Sequence, residues 1–520
     1  MSQLAHIGDV LGMYSRMFPD KIGARYLERA MTFREWNNRS CRLANALAGI
    51  GLSKGDRICI FAYNCLEWME IYAATAIAGL VAVPINFRLV GPEIEYIVKN
   101  CEARALIVQD ELLDAVEAAR ANLPIPTDNF IIFGGSRRFA GYLAYEELIA
   151  KASDGRPRVT VTADDPWTLM YTSGTTGKPK GAIRSHKGSA MLSLVTEVEM
   201  SLTRRDSALL VMPMCHANSL YFFGAFAYCG AACTIYSRKS FDPEHFVRTL
   251  AEGGTTFTSL VPTHYIMVLG LPASVRDRYN VDAVTKLMIS SAPARRDTKL
   301  ATMDYFRNSG LFELYGSTEA GWVTMLQPDE QFSKLGSVGR ECIGSLPIRL
   351  LDPDGNDVPD GRVGELYSCN AYTFNGYWKL PEKTKETFRG DYCSVGDLAC
   401  RDEDGYIYLV DRKSNMIISG GENIYPSEVE TLLGAHPKVK DVAVVGIPDA
   451  KWGERVHAVI IPRDGQSPTQ EEIIDWCKNR IAGHKRPRSI SFMQEDEMPR
   501  TATGKILHRI LRMQHNVGGN

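Results

Sequence analysis

From about residue 30 to 135 the apolar positions change period again and again. RICIFAYN (57–64) is a short apolar run, CLEWMEIYAATAIAGL (65–80) has a helical period, and VAVPIN (81–86) returns to a strand. GPEIEYIVKN (91–100) is amphipathic, ARALIVQD (103–110) is strand-like, ELLDAVEAARANL (111–123) is helical, and NFIIFG (129–134) is a strand again. Alternation of this kind predicts βαβ units around a parallel sheet. It resumes after Trp167 with VTEVEMSL as helix, SALLVMPM as strand, HFVRTLAEG as helix, and TTFTSLVP and TKLMISS as strands. A second α/β sheet is predicted there. Between about 334 and 411 short strands alternate with turn clusters such as DPDGND, VPDGRVG and RDEDGY, which predicts a small β-barrel or antiparallel sheet. Beyond about 414, SEVETLLGAH, DVAVVGIP, RVHAVIIP, EEIIDWCKNRI and RSISFMQ alternate helix and strand in a further α+β domain.

Two stretches are greasy, WMEIYAATAIAGLVAVPIN and LYFFGAFAYCGAACTIY. The first carries Glu70 and neither reaches the roughly 18 charge-free apolar residues of a membrane span, so both are read as buried helix-plus-strand pieces. Length and composition add little but exclusions. A chain of 520 residues, 45% hydrophobic and 23% charged, has room for several cores and is not disordered. Its net charge of −2 gives no field to recruit nucleic acid or anionic lipid, so an anionic ligand must be held by a local site. The 12 cysteines show neither C-x-x-C nor metal spacing and read as reduced thiols; with no export signal at the N-terminus, a cytoplasmic enzyme is expected.

The densest chemistry lies in YTSGTTGKPKG, Tyr171 to Gly181, where three glycines, four hydroxyl side chains and two lysines follow an apolar strand. Glycines let backbone N–H groups approach phosphate oxygens; Thr172, Ser173, Thr175 and Thr176 donate hydrogen bonds, and Lys178 and Lys180 supply charge. The loop is not a Walker A motif, because only two residues separate Gly174 from Gly177 and Pro179 follows Lys178. It resembles the phosphate loop of the adenylate-forming superfamily of acyl-CoA synthetases, luciferases and peptide adenylation domains. Further motifs follow in that family's order: YGSTE (315–319), YCSVGD (392–397), DRK (411–413), SGGENIYPSEVE (419–430) and PRTATGKI (499–506).

The resemblance implies a fold of two α/β sheets plus a small β-barrel in a large N-terminal domain (1–412, barrel about 334–411), followed by a mobile α+β domain (413–520). It implies that ATP is held by Thr172, Ser173, Gly174, Thr175, Thr176 and Lys180 on the phosphate side. Ser291, Ala292 and Pro293 match the adenine-side strand, usually richer in glycine, with Tyr315, Gly316, Ser317 and Thr318 beside it. Tyr315 is an adenine-stacking ring by resemblance, or otherwise a core aromatic. Glu319, with Thr172, would hold Mg²⁺, as a carboxylate suits a hard cation. Asp397 would clamp the ribose and Arg412 would donate to ribose or phosphate; without the motif one is turn chemistry and the other a surface charge.

Lys505 is implied as the residue that bridges substrate carboxylate and α-phosphate in the first half-reaction, which makes Lys505, Thr172, Glu319 and His216 the catalytic set. His216 is assigned to positioning or gating, since a carboxylate is already ionised at pH 7. With it, Ala217, Asn218, Ser219 and Phe222, and across from them Gly316, Val323 and Thr324, form the implied acyl pocket. Gly420 and Gly421 would leave room for the pantetheine arm of coenzyme A, and Ser414 stands at the hinge where the family commonly has Asp or Lys. The implied reaction is AMP-forming acid–CoA ligation of a medium-chain aliphatic or aryl/cinnamic-type acid, by a monomer or homodimer without a membrane segment. Carrier-protein loading is the alternative; luciferase-type oxygenation and a non-catalytic scaffold are weaker ones.

Overall fold

The computed structural model describes residues 5–135, 139–172, 178–290, 294–419, 422–478, 480–501 and 504–516. The chain divides into two compact units, one made of Met1–Pro347 with Ser368–Cys393, the other of Ile348–Tyr367 with Ser394–Asn520.

The first unit holds two large sheets. In the seven-stranded sheet, Leu143–Ala144, Phe130–Phe133, Ala105–Gln109, Arg57–Phe61, Val81–Ile85 and Pro166–Thr172 run parallel, and Lys180–Ser185 closes the edge antiparallel to Pro166–Thr172. In the nine-stranded sheet, Ile22–Tyr26, Ala232–Ile235, Ser207–Leu210, Phe257–Leu260, Lys286–Ser290 and Gly310–Ser317 are parallel neighbours. Antiparallel strands Arg29–Thr32 at one side and Gly321–Leu326 with Arg340–Glu341 at the other complete it. The alternation in the sequence therefore maps onto parallel sheets, and the antiparallel pairs Ile22–Tyr26/Arg29–Thr32, Pro166–Thr172/Lys180–Ser185 and Gly310–Ser317/Gly321–Leu326 occur where the connection is too short for a crossover.

Both greasy stretches fold as a helix and a strand: Glu67–Ala78 then Val81–Ile85, and Ala217–Tyr228 then Ala232–Ile235. The Glu67–Ala78 helix is buried on every side, as a helix with apolar residues all round its axis must be. Of its two buried carboxylates, Glu67 pairs with Arg29 at 2.7 Å, and the deeper Glu70 meets the Arg39 guanidinium at 2.6 Å and the Tyr145 hydroxyl at 2.8 Å, which compensates a carboxylate that burial pushes upward in pKa. The helix stops at Gly79, whose φ of +66° is a left-handed cap open to glycine at no steric cost.

The expected small barrel is not closed. Among the described residues, Asp397–Arg401 pairs with Ile407–Arg412 and with the start of Gly364–Cys369 in an open antiparallel arrangement, and Arg340–Glu341 belongs instead to the nine-stranded sheet. Its strands, two to six residues long, are short for the tilt and stagger that closure demands. The rest of the second unit is a sheet built on the long hairpin Val439–Asp449 and Gly453–Pro462, with Ser489–Phe492 parallel to the latter and helices Pro426–Gly434, Gln470–Cys477 and His508–Asn516 beside it in sequence. Alternate residues of the hairpin are buried on both faces, one side against Val429, Leu433 and Ile473, the other against Met498 and Leu511.

Candidate active site

In the first unit, the register of the edge hairpin pairs Thr172 with Lys180, so the base of the phosphate loop is fixed by a strand ladder on each side. Ser173, Gly174, Thr175 and Thr176 lie outside the described residues, as do Ser291, Ala292 and Pro293, and Gly420 and Gly421. From that base the Thr172 hydroxyl donates to Glu319 Oε1 at 3.2 Å, and the Tyr377 hydroxyl donates to the same oxygen at 2.9 Å. Glu319 is only 8% exposed, and among the described residues its Oε2 receives no hydrogen bond. The Lys180 ammonium stands 4.3 Å over the Tyr377 ring. Burial lowers the pKa of Lys180, and the nearby Glu319 opposes that shift.

The turn that presents Glu319 is tied from behind. Arg184, 1% exposed, donates Nη1 to the carbonyls of Thr318 and Glu319 at 3.2 Å each, and its guanidinium lies 5.1 Å over the Tyr221 ring. The Tyr221 hydroxyl also donates to Thr318 O, and Phe374 N to Glu319 O. Upstream, the strand Gly310–Ser317 shifts register between Tyr315 and Gly316. A Cβ on Gly316 would stand 2.3 Å from the Gly321 carbonyl oxygen, so this position accepts only glycine. Ser317 Oγ accepts from Ala320 N at 2.9 Å and shapes the Ser-Thr-Glu turn. Removing the Tyr377 hydroxyl loses one of the two donors on Glu319 Oε1; Tyr377→Phe is expected to raise the KM for ATP several-fold, with the KM for the acid unchanged, in a pyrophosphate-release assay.

His216 caps the helix Ala217–Tyr228, its Nδ1 accepting from Asn218 N at 3.4 Å. Burial pushes its pKa down to about 4, so at pH 7 it is a neutral ring. Asn218, buried in the first turn, donates to Ser259 Oγ at 3.0 Å and to Ser290 Oγ at 2.9 Å, joining the helix to the ends of two sheet strands. Ser219 Oγ donates to Met212 O at 2.6 Å. Phe222 has no exposed surface and packs against Phe257 and Trp322, with ring centres 4.7 and 5.5 Å away. Thr324, equally buried, donates to Val338 O at 2.6 Å, while Ala217 and Val323 are nearly buried.

In the second unit, Asp397 and Arg412 face each other as register partners on adjacent strands, and Arg412 Nε lies 3.0 Å from Asp397 Oδ1. The Lys505 backbone is set by a tight turn: Thr501 N donates to Lys505 O, Lys505 N to Thr501 Oγ1, and Gly504 takes φ +83°. Lys505 is exposed by surface area, yet its pKa is lowered from the ordinary lysine value, by desolvation of the ammonium first and then the Arg412 guanidinium, with Asp397 and Asp411 opposing. Asp411 accepts from Arg412 N and, through its other oxygen, from Ser427 N, linking the strand end to the helix Pro426–Gly434. Ser414 is exposed in the turn that follows Arg412, between Lys413 N to Gly396 O and Asn415 N to Arg412 O.

Sequence reasoning missed Tyr377, which lies 58 residues from Glu319 in an unremarkable NGYW turn. It also missed Arg184; a charged residue on a strand otherwise buried was the signal there. His508, which pairs with Glu430 at 2.6 Å beside the Lys505 turn, was missed as well.

The architecture and motif order agree with known proteins. The AMP-binding enzyme family matches residues 14–378 and the AMP-binding enzyme C-terminal domain matches 428–505. A feruloyl-CoA synthase of Amycolatopsis sp is 35% identical over 505 residues, covering 95% of this chain and 96% of that protein. An indoleacetate–CoA ligase of Aromatoleum aromaticum is 31% identical, covering 96% of each chain. The solved anthranilate CoA ligase AuaEII, in complex with anthranoyl-AMP, superposes with a TM-score of 0.87 at 27% identity, over 99% of this chain and 98% of that one. A phosphate-loop hairpin whose threonine meets the glutamate of a Ser-Thr-Glu turn, shared length and shared motifs thus lead to one statement: the chain is a member of the AMP-binding enzyme family.

Proposed function

We propose that this AMP-forming acid–CoA ligase activates an aryl or cinnamic-type monocarboxylic acid. The carboxylate oxygen attacks the α-phosphorus of ATP in line, pyrophosphate leaves, and the acyl-adenylate is then attacked at its carbonyl carbon by the thiol of coenzyme A, releasing AMP. The observation that carries the reading is the convergence of Thr172 and Tyr377 on one oxygen of buried Glu319 at the base of the phosphate loop. Hydroxyl and carboxylate oxygens suit magnesium, which is usually bound by one or two carboxylates together with substrate phosphates. Among the described residues no group of three or more His, Cys, Asp or Glu could hold a metal by itself, which fits that sparse donor set. When bound, magnesium neutralises phosphate charge; Lys180 adds its ammonium, and Arg184 holds the Thr318–Glu319 turn in place.

In the second unit Asp397 and Arg412 are the groups for the ribose, and Lys505 supplies the charge between carboxylate and α-phosphate. We take residues 1–412 and 413–520 as the functional domains, with the small β region at about 334–411, Ser414 as hinge, and Gly420 and Gly421 on the pantetheine path. Tyr315 and residues 291–293 are the adenine side in this reading.

The acid class rests on two supports. None of the pocket candidates from His216 to Phe222, nor Val323 and Thr324, is a cation at pH 7, which suits a monocarboxylic acid. The second support is that the relatives named above are named for feruloyl, indoleacetate and anthranilate substrates; Phe222, fully buried against Phe257 and Trp322, is core rather than an open wall. No described helix is long and apolar enough to cross a membrane, and we assign the enzyme to the cytoplasm, where ATP and coenzyme A are supplied together.

The test is pyrophosphate release over a panel of cinnamic, benzoic, indole and C4–C12 aliphatic acids, with the thioester followed by mass. Cinnamic or aryl acids are expected to show at least about tenfold higher kcat/KM than any aliphatic acid, which corresponds to about 1.4 kcal/mol of transition-state preference. A preference for aliphatic acids overturns the acid class. Acid-dependent adenylate without thioester overturns the ligase in favour of carrier loading.

A further inference from the structure

Helix Gly91–Cys101 lies in the first unit beside the phosphate loop, and its C-terminal carbonyls are unusually well held. Trp378 Nε1 donates to Asn100 O at 3.0 Å, Arg57 Nε donates to Cys101 O and its Nη2 to Glu102 O, each at 2.7 Å. Arg57 also lies 5.4 Å over the Trp378 ring, and Lys379 pairs with Glu102 at 2.7 Å. A helix end normally leaves its last carbonyls to water; here three consecutive ones have side-chain donors. The helix is therefore a fixed post.

Two side chains four residues apart on that post, and so on one face, reach the two flanks of residues 173–177. The Tyr171 hydroxyl donates to Asn100 Oδ1 at 2.5 Å, and the Tyr96 hydroxyl donates to Pro179 O at 3.0 Å. The Lys178 ammonium stands 5.6 Å over the Tyr96 ring, and Trp378 N donates to Gly181 O at 2.8 Å, so the returning flank is gripped as well. Tyr171 is half-buried, which shields its hydrogen bond to Asn100 from water. None of Tyr96, Asn100 and Tyr171 itself bonds to Glu319 in the hydrogen bonds described, while Trp378, which donates to Asn100 O, directly follows Tyr377 of the Glu319 cluster.

We propose that Asn100 and Tyr96 are positioning residues for the polyphosphate of ATP: they fix where Tyr171 and Pro179, the two flanks of the phosphate loop, stand. The proposal rests on the adenylate-forming reading. In this role the pair serves the first half-reaction alone, because coenzyme A attack on a formed acyl-adenylate involves no triphosphate.

The experiment compares Asn100→Ala, Tyr171→Phe, Tyr96→Phe and the double variant Asn100→Ala/Tyr171→Phe with the unaltered full chain. Pyrophosphate release is measured against ATP and against the acid, thioester formation is measured from supplied acyl-adenylate, and thermal melting is recorded for each. Expected is a KM for ATP raised about three- to tenfold in each single variant, with the KM for the acid and the thioester rate within about twofold. The double variant is expected to match Asn100→Ala, since both changes remove one hydrogen bond. Equal losses in both half-reactions, multiplicative effects in the double variant, or lowered melting with an unchanged KM for ATP each overturn the proposal. An unaltered chain with no acid-dependent pyrophosphate release overturns the underlying reading instead, which separates the two failures.

Discussion

Lys505→Ala is expected to slow acid-dependent pyrophosphate release about 100- to 1,000-fold, the loss typical of removing one preorganised donor to developing charge. Thioester formation from supplied acyl-adenylate should stay within about threefold, because the carboxylate and α-phosphate are by then joined. Equal slowing of both steps would remove Lys505 from the role proposed for it. The same residue sets a pH limb. Desolvation and the Arg412 guanidinium lower its pKa from the ordinary 10.5, so its proton is lost at a lower pH than from a free lysine. The charged form is the useful one, and adenylation therefore declines on the alkaline side as pH rises through that lowered value. Thioester formation should not share the decline, since its nucleophile is a thiolate and gains from alkali. Lys505→Arg keeps a charge that does not titrate in this range and should abolish the limb, at a lower plateau rate. A limb that persists in Lys505→Arg assigns the titration to another group.

The largest stability effect is expected at Lys299, whose side chain has no exposed surface and is paired with Glu313, itself 6% exposed. The lysine comes from the helix Arg296–Tyr305 and the glutamate from the strand Gly310–Ser317, the strand that continues into Tyr315 and Gly316. Burial raises the Glu313 pKa and Lys299 opposes the shift, while Ala294 N also donates to this carboxylate. Lys299→Met leaves the carboxylate buried without its cation and should cost about 3–5 kcal/mol. Lys299→Met with Glu313→Leu removes both charges and should recover most of the loss, because an apolar pair of similar size avoids desolvation altogether. Denaturant titration of the three proteins decides it: a double variant no more stable than Lys299→Met would show that packing, not the stranded charge, is what the lysine supplies. As Ala294 follows the adenine-side segment, the KM for ATP should rise in Lys299→Met even at temperatures where the protein stays folded.

Much of the scaffold was legible because burial on a parallel sheet leaves a local trace. Val81–Ile85 and Ala105–Val108 are apolar without interruption, and the helix between them, Gly91–Cys101, buries one stripe. The barrel was misjudged for the opposite reason. Closure depends on which strand edges meet, and Arg340–Glu341 pairs with Thr324 and Met325 in another sheet, a choice its own sequence does not encode. The candidate site divides in the same way. Thr172 and Glu319 stand out because their motifs are compact, and the structure brings them within 3.2 Å. Tyr377 and Arg184 complete the same cluster across 58 and 135 residues of chain, and a contact between distant turns has no period to detect. Phe222 and Thr324 show a further limit: apolar context announces that a position is inside, but not that its side chain faces Phe257 and Trp322 or the Val338 carbonyl.

Asn218 carries an implication for how such an enzyme changes its diet. Its amide spends both hydrogens on Ser259 and Ser290, and Ser290 is the last residue of the strand leading to the adenine-side segment. Selection or engineering that enlarges the pocket at this helix cannot act on the acid alone: a smaller residue at 218 frees two serine hydroxyls and loosens the strand that precedes 291–293. On the proposed assignment of acyl pocket and adenine side, substrate range and nucleotide affinity are inherited together at this position. Variants that broaden acid choice here should need a second change nearby before they work at ordinary ATP concentrations, whereas His216 and Ala217, which make no such double tie, are the easier first steps.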